Sequence, residues 1–263
     1  MANIADTVHQ LQKQINILEC FCESYGMSVN LRKTKVVVFR RGGCLRKCEK
    51  WFYKGEQIEC VNVYKYLGLL ISCSLKWNKA TEQLAQQANK ALLKIYQLEK
   101  RCGGIPYTVY FNLFDKLVSP ILCYGSEVWG FQTRDNVEVV HRKFCKRLLA
   151  VKRNTPSASV LGDCGRYPLM IMYYKRCVKY WLRLLDMPND RLPKQCYLMS
   201  KNMSIAGFDT WAGKIKTLLD MYGMSFAWEN QSVSNHDLFV NEFVQRVKDC
   251  YVQDWHSIIC ESS

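Results

Sequence analysis

The hydrophobic period of this chain changes near residue 80, and that change limits the folds it can adopt. Before this point, short runs of β-branched and aromatic residues alternate with glycine-containing turns, which is typical of strands and hairpins. After it, apolar residues recur at steps of three and four, which is typical of amphipathic helices. The sequence therefore predicts an α+β protein in which a mixed segment is followed by a mostly helical remainder.

The mixed segment begins with a long predicted helix. Apolar residues recur on one stripe from Ile4 to Tyr25, and Gly26 is placed to end the helix. Three strand-like stretches follow the helix along the chain. They are the apolar run Val36–Phe39 (read as a buried strand), residues 51–58 with a hairpin turn at Lys54–Gly55, and residues 66–71.

The remainder is predicted to contain six helices. Pro120 should kink or end one of them, and Asp209 is placed to cap another. The prolines and glycine of residues 187–208 make this stretch the best candidate for a linker. The predicted helical stripes are Leu84–Leu98, Val109–Ile121 (with Val109, Leu113, Leu117 and Ile121 facing inward), Val137–Val151, Leu169–Leu184, Asp209–Tyr222 and Asp237–Ile259.

Positive charge is concentrated in two regions. The whole chain has a formal net charge of +14, whereas residues 32–54 alone carry nine Lys and Arg against one acid. Residues 141–183 carry eleven Lys and Arg, again against a single acid. Two concentrated basic regions favour a polyanionic partner, because each phosphate that is neutralised releases counterions. The alternative is a solubilising surface that binds nothing.

The cysteines and the apolar runs indicate the compartment in which the protein is expected and the ligands it is expected to lack. The 14 cysteines are scattered without a Cys-x-x-Cys pair, which favours reduced thiols in an intracellular protein, nuclear or cytoplasmic, over a disulfide scaffold. Cys44 and Cys48 have no second ligand pair at zinc spacing, so we predict no metal site and no cofactor. No apolar run approaches the ~20 residues of a membrane span, and no membrane partner is expected.

No catalytic constellation is evident from the residues alone. Phosphoryl transfer by two metal ions needs clustered carboxylates, but the chain has no Asp-Asp pair and its acids are dispersed. There is no phosphate-binding glycine-rich loop and no Gly-x-Ser-x-Gly sequence. The four histidines are far apart in sequence.

Two short motifs nevertheless follow each other between residues 26 and 68. The first contains Asn30, Lys33, Thr34 and Lys35 after Gly26–Met27, and the second is Tyr66-Leu67-Gly68. They resemble the Gly-Leu-x-Val-Asn-x-x-Lys-Thr-Lys segment and the Tyr-Leu-Gly hairpin of non-LTR (LINE-type) retrotransposon reverse transcriptases. Further similar stretches are residues 113–130, Phe144–Leu149, Gly165–Pro168 and Tyr180–Trp181, so the resemblance covers nearly the whole chain.

The resemblance implies a partial polymerase. Residues 1–78 would be the end of the palm with a primer-grip-like hairpin, residues 79–186 a helical thumb or connection, and residues 187–263 a helical C-terminal region. The catalytic aspartates of the family would precede Met1, so this chain is expected to be inactive alone. An intact polymerase would use Mg²⁺, and a missing palm and fingers segment would be a partner.

The resemblance also suggests roles for particular residues. Lys33 would approach the incoming nucleotide, stabilising phosphate charge or protonating the leaving group, but only in an intact enzyme. Tyr66, Leu67 and Gly68 would grip the primer strand, although the aromatic and aliphatic members could equally fill a core. By strand alternation, Tyr64 shares a face with Tyr66. Tyr124 and Trp129 are interpreted as core residues at a helix end.

The basic side chains are the candidate nucleic-acid contacts. Lys175, Lys179 and Arg183 recur every four residues and should line one helix face, which favours tracking along a phosphate backbone without reading bases. The expected partner is RNA or a DNA–RNA duplex, with a solvated face or a non-enzymatic interaction remnant as the alternatives. The full predicted set is Arg32, Lys35, Arg40, Arg41, Arg142, Lys143, Lys146, Arg147, Lys175, Lys179 and Arg183.

Overall fold

The computed structural model describes residues 2–40, 42–131 and 135–261. The chain divides into two compact units, Met1–Ala80 and Thr81–Ser263. Helices and short two-stranded sheets both occur, so the prediction of an α+β fold is confirmed. The first unit holds the strands that the structure describes, and the second consists of helices and their connections over the described residues.

The first unit is built on helix α1, Val8–Ser24. The helix starts later than predicted because the Thr7 hydroxyl accepts the Gln10 N–H at 3.1 Å and caps it, which leaves Ile4 outside and exposed. Gly26 follows the helix end with φ of +62°, as expected for a residue that ends a helix.

Two hairpins follow α1. Strands β1 (Phe52–Tyr53) and β2 (Glu56–Gln57) pair antiparallel and turn at Lys54–Gly55, which confirms that prediction. Strands β3 (Val63–Tyr66) and β4 (Leu69–Ser72) also pair antiparallel. The prediction of a single strand over residues 66–71 is therefore wrong, since the backbone reverses direction at Leu67–Gly68.

The Val36–Phe39 run is not a strand. Among the described residues, Val36 forms an isolated parallel bridge with Cys60, through its N–H to the Glu59 carbonyl at 3.0 Å and its carbonyl to the Val61 N–H at 2.9 Å. Val36 is buried in the core and Val38 packs against it partly buried, whereas Phe39 is exposed. That core is small and consists of Ile15, Val36, Trp51, Tyr53 and Ile58.

Side chains of α1 hold the first hairpin in place. The Gln12 amide group donates to the Phe52 carbonyl at 2.8 Å and accepts from the Phe52 N–H at 2.9 Å, in the way a neighbouring strand would. The indole N–H of Trp51 donates to the Val8 carbonyl at 3.1 Å. The hairpin is therefore fixed against the helix by polar contacts as well as by apolar burial.

The second unit opens with a long helix and a broken one. Helix α2 (Asn78–Arg101) ends before Gly103–Gly104, as predicted. Helix α3 (Tyr107–Leu113) continues into a π-helical turn at Phe114–Val118 and then α4 (Ser119–Leu122). Pro120 lies in the first turn of α4, where its missing N–H costs least. The irregular turn just before it agrees with the predicted break.

The inward face of this broken helix differs from the prediction. Val109 and Leu117 are exposed, whereas the buried row is Tyr110, Phe114, Val118 and Leu122. The sequence offered two overlapping rows of apolar residues, one position apart. The Phe144 ring stacks on Tyr110 at 4.9 Å and on Phe114 at 4.3 Å. These contacts favour burial of the row that contains Tyr110 and Phe114.

The remaining helices complete the second unit. Their bounds are α5, Ser126–Trp129; α6, Asp135–Leu148; α7, Ser157–Asp163; α8, Met170–Asp186; α9, Leu192–Ile205; α10, Trp211–Met221; α11, Ser225–Asn230; and α12, His236–Glu261. Helix α8 is central, because its buried residues share one core with those of α9 to α12. This core crosses the boundary between residues 186 and 187, and the predicted division into three regions stays a prediction.

Two predictions for this part of the chain are wrong. The linker candidate at residues 187–208 contains α9, in which Tyr197 is buried and its hydroxyl accepts from the Trp181 indole at 3.0 Å. The cap of α10 is Thr210, whose hydroxyl accepts from the Gly213 N–H at 3.2 Å. Asp209 instead forms an ion pair with Lys214 at 3.5 Å.

Candidate nucleic-acid interface

The two motifs of the first unit lie next to each other. Asn30 organises a tight turn, since its carbonyl and side-chain oxygens accept from the Lys33 N–H at 3.1 and 3.2 Å. The Tyr64 hydroxyl on β3 then donates to the Lys33 carbonyl at 2.9 Å. This bond fixes the backbone of Lys33 beside the second hairpin and leaves its side chain exposed.

Tyr66, Leu67 and Gly68 form the tip of that hairpin. Leu67 and Gly68 both have positive φ, +47° and +88°, which matches a two-residue turn that suits the twist of paired strands. Leu67 is 75% exposed, so the interpretation of this side chain as a core residue is wrong. The tip is accessible, and its role as a primer grip stays a prediction.

The predicted basic contacts of the first unit differ in how far they are already paired. Lys35 forms an ion pair with Glu59, and Arg40 forms one with Glu49 at 2.7 Å. The Arg46 backbone N–H and the Arg40 guanidinium hold the pKa of Glu49 below its usual range. Arg32 is exposed and has no ion-pair partner within the described ranges. Arg41 lies outside the described residues.

The basic residues of α6 are mostly engaged with the protein itself. The Lys146 ammonium donates to the Arg153 carbonyl at 2.7 Å. Arg147 lies over the Tyr96 ring at 4.0 Å, and its guanidinium is 3.3 Å from Glu99. Arg142 is 3.6 Å from Asp135, and the exposed Lys143 has no ionic contact in the described part of the chain. Three of the four predicted basic contacts on α6 therefore already interact with other residues of the protein, and Lys143 is the exception among the described residues.

Helix α8 carries three cations at four-residue spacing. Lys179 and Arg183 are exposed and Lys175 is half-buried, while Cys177, Val178 and Trp181 are buried on the opposite side. Within residues 2–40, 42–131 and 135–261, none of these three cations has a hydrogen bond or ion pair. The predicted alignment of Lys175, Lys179 and Arg183 on one helix face is confirmed.

The start of α8 is fixed by a buried carboxylate that sequence reasoning missed. Glu138 of α6 accepts from the backbone N–H groups of Leu169 and Met170 at 3.3 and 2.9 Å. Burial raises the pKa of Glu138, and these two backbone hydrogen bonds oppose the shift. Nothing in the sequence pairs residue 138 with residue 170, because the contact joins two helices.

The role of Arg176 was also missed, and Tyr124 was misassigned. The Arg176 guanidinium donates to the Cys123 carbonyl at 2.5 Å, at the end of α4. Trp129 is 2% exposed, in keeping with its predicted core role, but Tyr124 is 47% exposed and that interpretation of Tyr124 is wrong. A tyrosine next to a glycine in a turn was the available signal for exposure.

Two features are absent from the described residues, a cluster of metal ligands and a membrane-spanning helix. The described residues contain no group of three His, Cys, Asp or Glu side chains able to hold a metal ion. Among them, no helix has the length and apolar character needed to cross a membrane. Cys44 and Cys48 are both exposed and free.

The sequence has relatives among mobile elements. Over 171 residues it is 26% identical to the 115 kDa protein of type-1 retrotransposable element R1DM of Drosophila melanogaster, covering 61% of this chain and 16% of that protein. Over 155 residues it is 26% identical to a transposon-derived protein of Caenorhabditis elegans, covering 56% of this chain and 53% of that protein.

These similarities indicate the origin of the sequence and do not assign an activity to the protein. The chain spans about half the length, or less, of the curated relatives it matches. No protein-family profile matches the sequence. No solved structure matches it. The similarities support an origin in a transposon of the retrotransposon type.

Proposed function

We propose that this chain is a segment of a LINE-type retrotransposon reverse transcriptase that binds RNA or a primer–template nonspecifically through the exposed basic face of α8. The observation that carries the proposal is the row Lys175, Lys179 and Arg183, three cations that form no ion pair with any described residue. Retrotransposon relatives and the motifs around Lys33 and Tyr66 support the polymerase origin.

The geometry of α8 suits a phosphate backbone. A helix rises 1.5 Å per residue, so the row from Lys175 to Arg183 is about 12 Å long. Phosphates of one strand follow each other every ~3.4 Å along the axis of a duplex, so the row has the scale of a few successive phosphates. Lysine and arginine at these positions reach phosphates without reading base edges, which gives binding independent of sequence.

The residues of this chain do not fit the metal centre of a polymerase. The 263 residues contain no Asp-Asp pair, and the described ones provide no cluster of three ligands from which a two-Mg²⁺ centre could be built. In an intact polymerase, Lys33 would stabilise phosphate charge at the nucleotide. Here its exposed ammonium is available for a phosphate contact.

Removing the α8 cations tests the proposal. Changing Lys175, Lys179 and Arg183 together to Gln should weaken binding to labelled RNA and DNA–RNA duplex alike, measured by fluorescence anisotropy over a range of salt concentrations. Since each lost phosphate contact reduces the salt slope by about 0.7–0.9, we expect a slope smaller by about two to three.

A matched variant controls for net charge. Lys90, Lys94 and Lys100 are exposed on α2, and changing them to Gln removes the same charge from another helix. This variant should bind with a smaller loss of affinity and a nearly unchanged salt slope. Equal losses in the two triple variants would show that net charge alone drives binding, and the proposed interface would then be wrong.

A protein-interaction role is a second candidate, supported by α1. Ile17 and Phe21 of α1 and Tyr25, its C-cap residue, recur every four residues and are exposed, and they form an apolar row outside the core of the first unit. A missing palm segment would be the natural occupant. Monomeric behaviour at high protein concentration, measured by analytical ultracentrifugation, would argue against an unsatisfied interaction surface.

A further inference from the structure

Helix α9 turns polar residues towards the core of the second unit. Lys194 and Tyr197 are its buried residues. The Lys194 ammonium donates to the Leu185 carbonyl at 2.8 Å, and the Ser200 hydroxyl accepts from the Ala212 N–H at 3.1 Å. The inner side of α9 is therefore attached by hydrogen bonds to the elements on which it lies.

The opposite side of α9 is apolar and exposed. Leu192, Cys196, Met199 and Met203 follow each other at steps of four, three and four, which places them on one stripe. Leu192 is 67% and Met199 61% exposed, and Cys196 and Met203 are exposed as well. A helix turns 100° per residue, so this stripe points away from the hydrogen-bonded side. An exposed apolar stripe on a helix that buries polar residues indicates a contact surface.

The stripe is uncharged, although the chain is strongly positive. The charged residues of α9 are Lys194, which is buried, and Lys201, which is half-buried, and the helix contains no acid. Two copies with a formal net charge of +14 each repel one another, so they approach at least electrostatic cost where their surfaces carry no charge. Apolar residues at steps of four and three are also the pattern by which two helices pack together.

The charges beyond the two ends of α9 are complementary in an antiparallel pair of helices. Asp190 and Arg191 immediately precede α9 and are exposed. Asp209 follows its end and is paired with Lys214, and both side chains reach solvent. When two copies of α9 run antiparallel, Arg191 of one faces Asp209 of the other, and Asp190 faces Lys214. The opposed helix dipoles also attract. These charges favour a second copy of the chain as the occupant of the stripe.

We propose that the stripe of α9 is a self-association surface, on which a second copy of this chain docks with its own α9 antiparallel across a twofold axis. The inference goes beyond the proposed function and does not depend on nucleic-acid binding. A twofold axis sets the same stripe against itself. The stripe is centred between residues 197 and 198, so the two Met199 side chains of the dimer are offset by only about 4.5 Å along the helix axis.

Like charges at the centre of the stripe test this arrangement. Met199→Lys and Met199→Glu each place two identical charges face to face in the dimer, and each replaces a side chain that the core does not use. We expect either variant to raise the dimer dissociation constant about tenfold or more in sedimentation equilibrium of the nuclease-treated full chain. An equimolar mixture of the two variants should dimerise again, because opposite charges then face each other. A misfolded variant would not be rescued in this way.

Ile17→Lys is the matched control. Ile17 is 60% exposed on the apolar row of α1, so this change adds the same charge to the other exposed apolar helix surface. It should leave the dimer dissociation constant unchanged. A monomeric original protein, a dimer that persists in Met199→Lys, a dimer that Ile17→Lys abolishes, or a mixture that fails to dimerise would each overturn the inference.

Salt and cross-linking give independent readouts of the same dimer. Rising salt screens the repulsion between two positive copies, so the dimer should become tighter, whereas binding of nucleic acid becomes weaker. Cys196 lies as close to the centre of the stripe as Met199, so a short bis-maleimide should cross-link the original dimer through it. Cys196→Ser should lose that cross-linked dimer, and its persistence would place the contact elsewhere on the molecule.

Discussion

His141 is a fully buried histidine whose ring nitrogens have no hydrogen-bond partner among the described residues. Its ring stacks on Phe114 at 5.2 Å in the interior of the second unit. Burial lowers the pKa of His141 to about 3, and the positive charge of Arg166 acts in the same direction while Asp115 opposes it. The folded protein therefore keeps this side chain neutral at physiological pH.

This burial predicts a specific loss of stability in acid. The unfolded chain protonates His141 near pH 6.5 and the folded chain does not. The contribution of neutral His141 to the free energy of unfolding is therefore complete above that pH. It is lost as the pH falls toward the folded pKa, by about 1.4 kcal/mol per pH unit. We expect His141→Leu to lose less unfolding free energy than the original protein between about pH 7 and about pH 5 in urea titrations.

The exposed His256 provides the comparison for that titration. His256→Leu removes a histidine whose side chain is exposed in the folded protein, so it serves as the control for a substitution outside the interior. Parallel pH profiles for the original protein and His141→Leu would contradict the expectation.

At the scale of elements, α8 depends on a carboxylate from a different helix. The residue before its first turn makes no side-chain cap, and Glu138 of α6 supplies the acceptor for the Leu169 and Met170 N–H groups. A negative charge at a helix N-terminus also interacts favourably with the helix dipole. Glu138 thereby links the position of α6 to that of α8, which presents the proposed binding face.

Removing this cap should destabilise the second unit. Glu138→Ala leaves two backbone donors without their acceptor and should lower the unfolding free energy by about 1–3 kcal/mol, measured by urea unfolding. The same change at Glu229, an exposed carboxylate on α11, should cost little. Similar losses of unfolding free energy for the two variants would show that Glu138 does not stabilise the start of α8.

The pH dependence at Glu138 has a definite sign. Burial raises the pKa of this carboxyl, so its contribution to stability is complete below the unfolded pKa and is lost as the pH rises through the folded pKa. The glutamine side chain in Glu138→Gln cannot ionise, so this variant does not lose stability as the pH rises. The stability of the Gln variant relative to the original protein should therefore increase from acidic to neutral pH.

At the scale of the whole molecule, the two units have cores of very different size. Five buried residues form the core of the first unit, and Trp51 is among them. The core shared by α8 to α12 is far larger and contains Trp181 and Trp228. Because stability rises with the apolar area buried, the first unit should be the less stable of the two.

Tryptophan fluorescence can separate the two unfolding events. We expect two transitions in urea, with Trp51→Phe reducing the signal change of the earlier one. Trp181→Phe should instead alter the later transition and leave the earlier midpoint in place. A single transition with one midpoint, unaffected in shape by either substitution, would show that the units unfold together.

Much of the organisation could be predicted from local pattern. The stripe from Leu84 to Leu98, the Lys54–Gly55 turn and the alignment of Lys175, Lys179 and Arg183 each depend on neighbours within one or two turns. Residues close in sequence interact through fixed backbone geometry, so their spacing carries the information. The α+β character and the position of the basic faces follow from the same local evidence.

Other features depend on residues far apart in sequence, and only the tertiary structure decided them. Val36–Phe39 has the composition of a strand but finds a ladder partner at one residue only, Cys60. Phe144 stacks on the buried face of the broken helix, and Glu49 pairs with Arg40, whereas Lys175, Lys179 and Arg183 have no ion pair among the described residues. Sequence alone determined which residues could be core, strand or binding site. Long-range burial and pairing, which no local spacing encodes, determined which of them are core and which are strand.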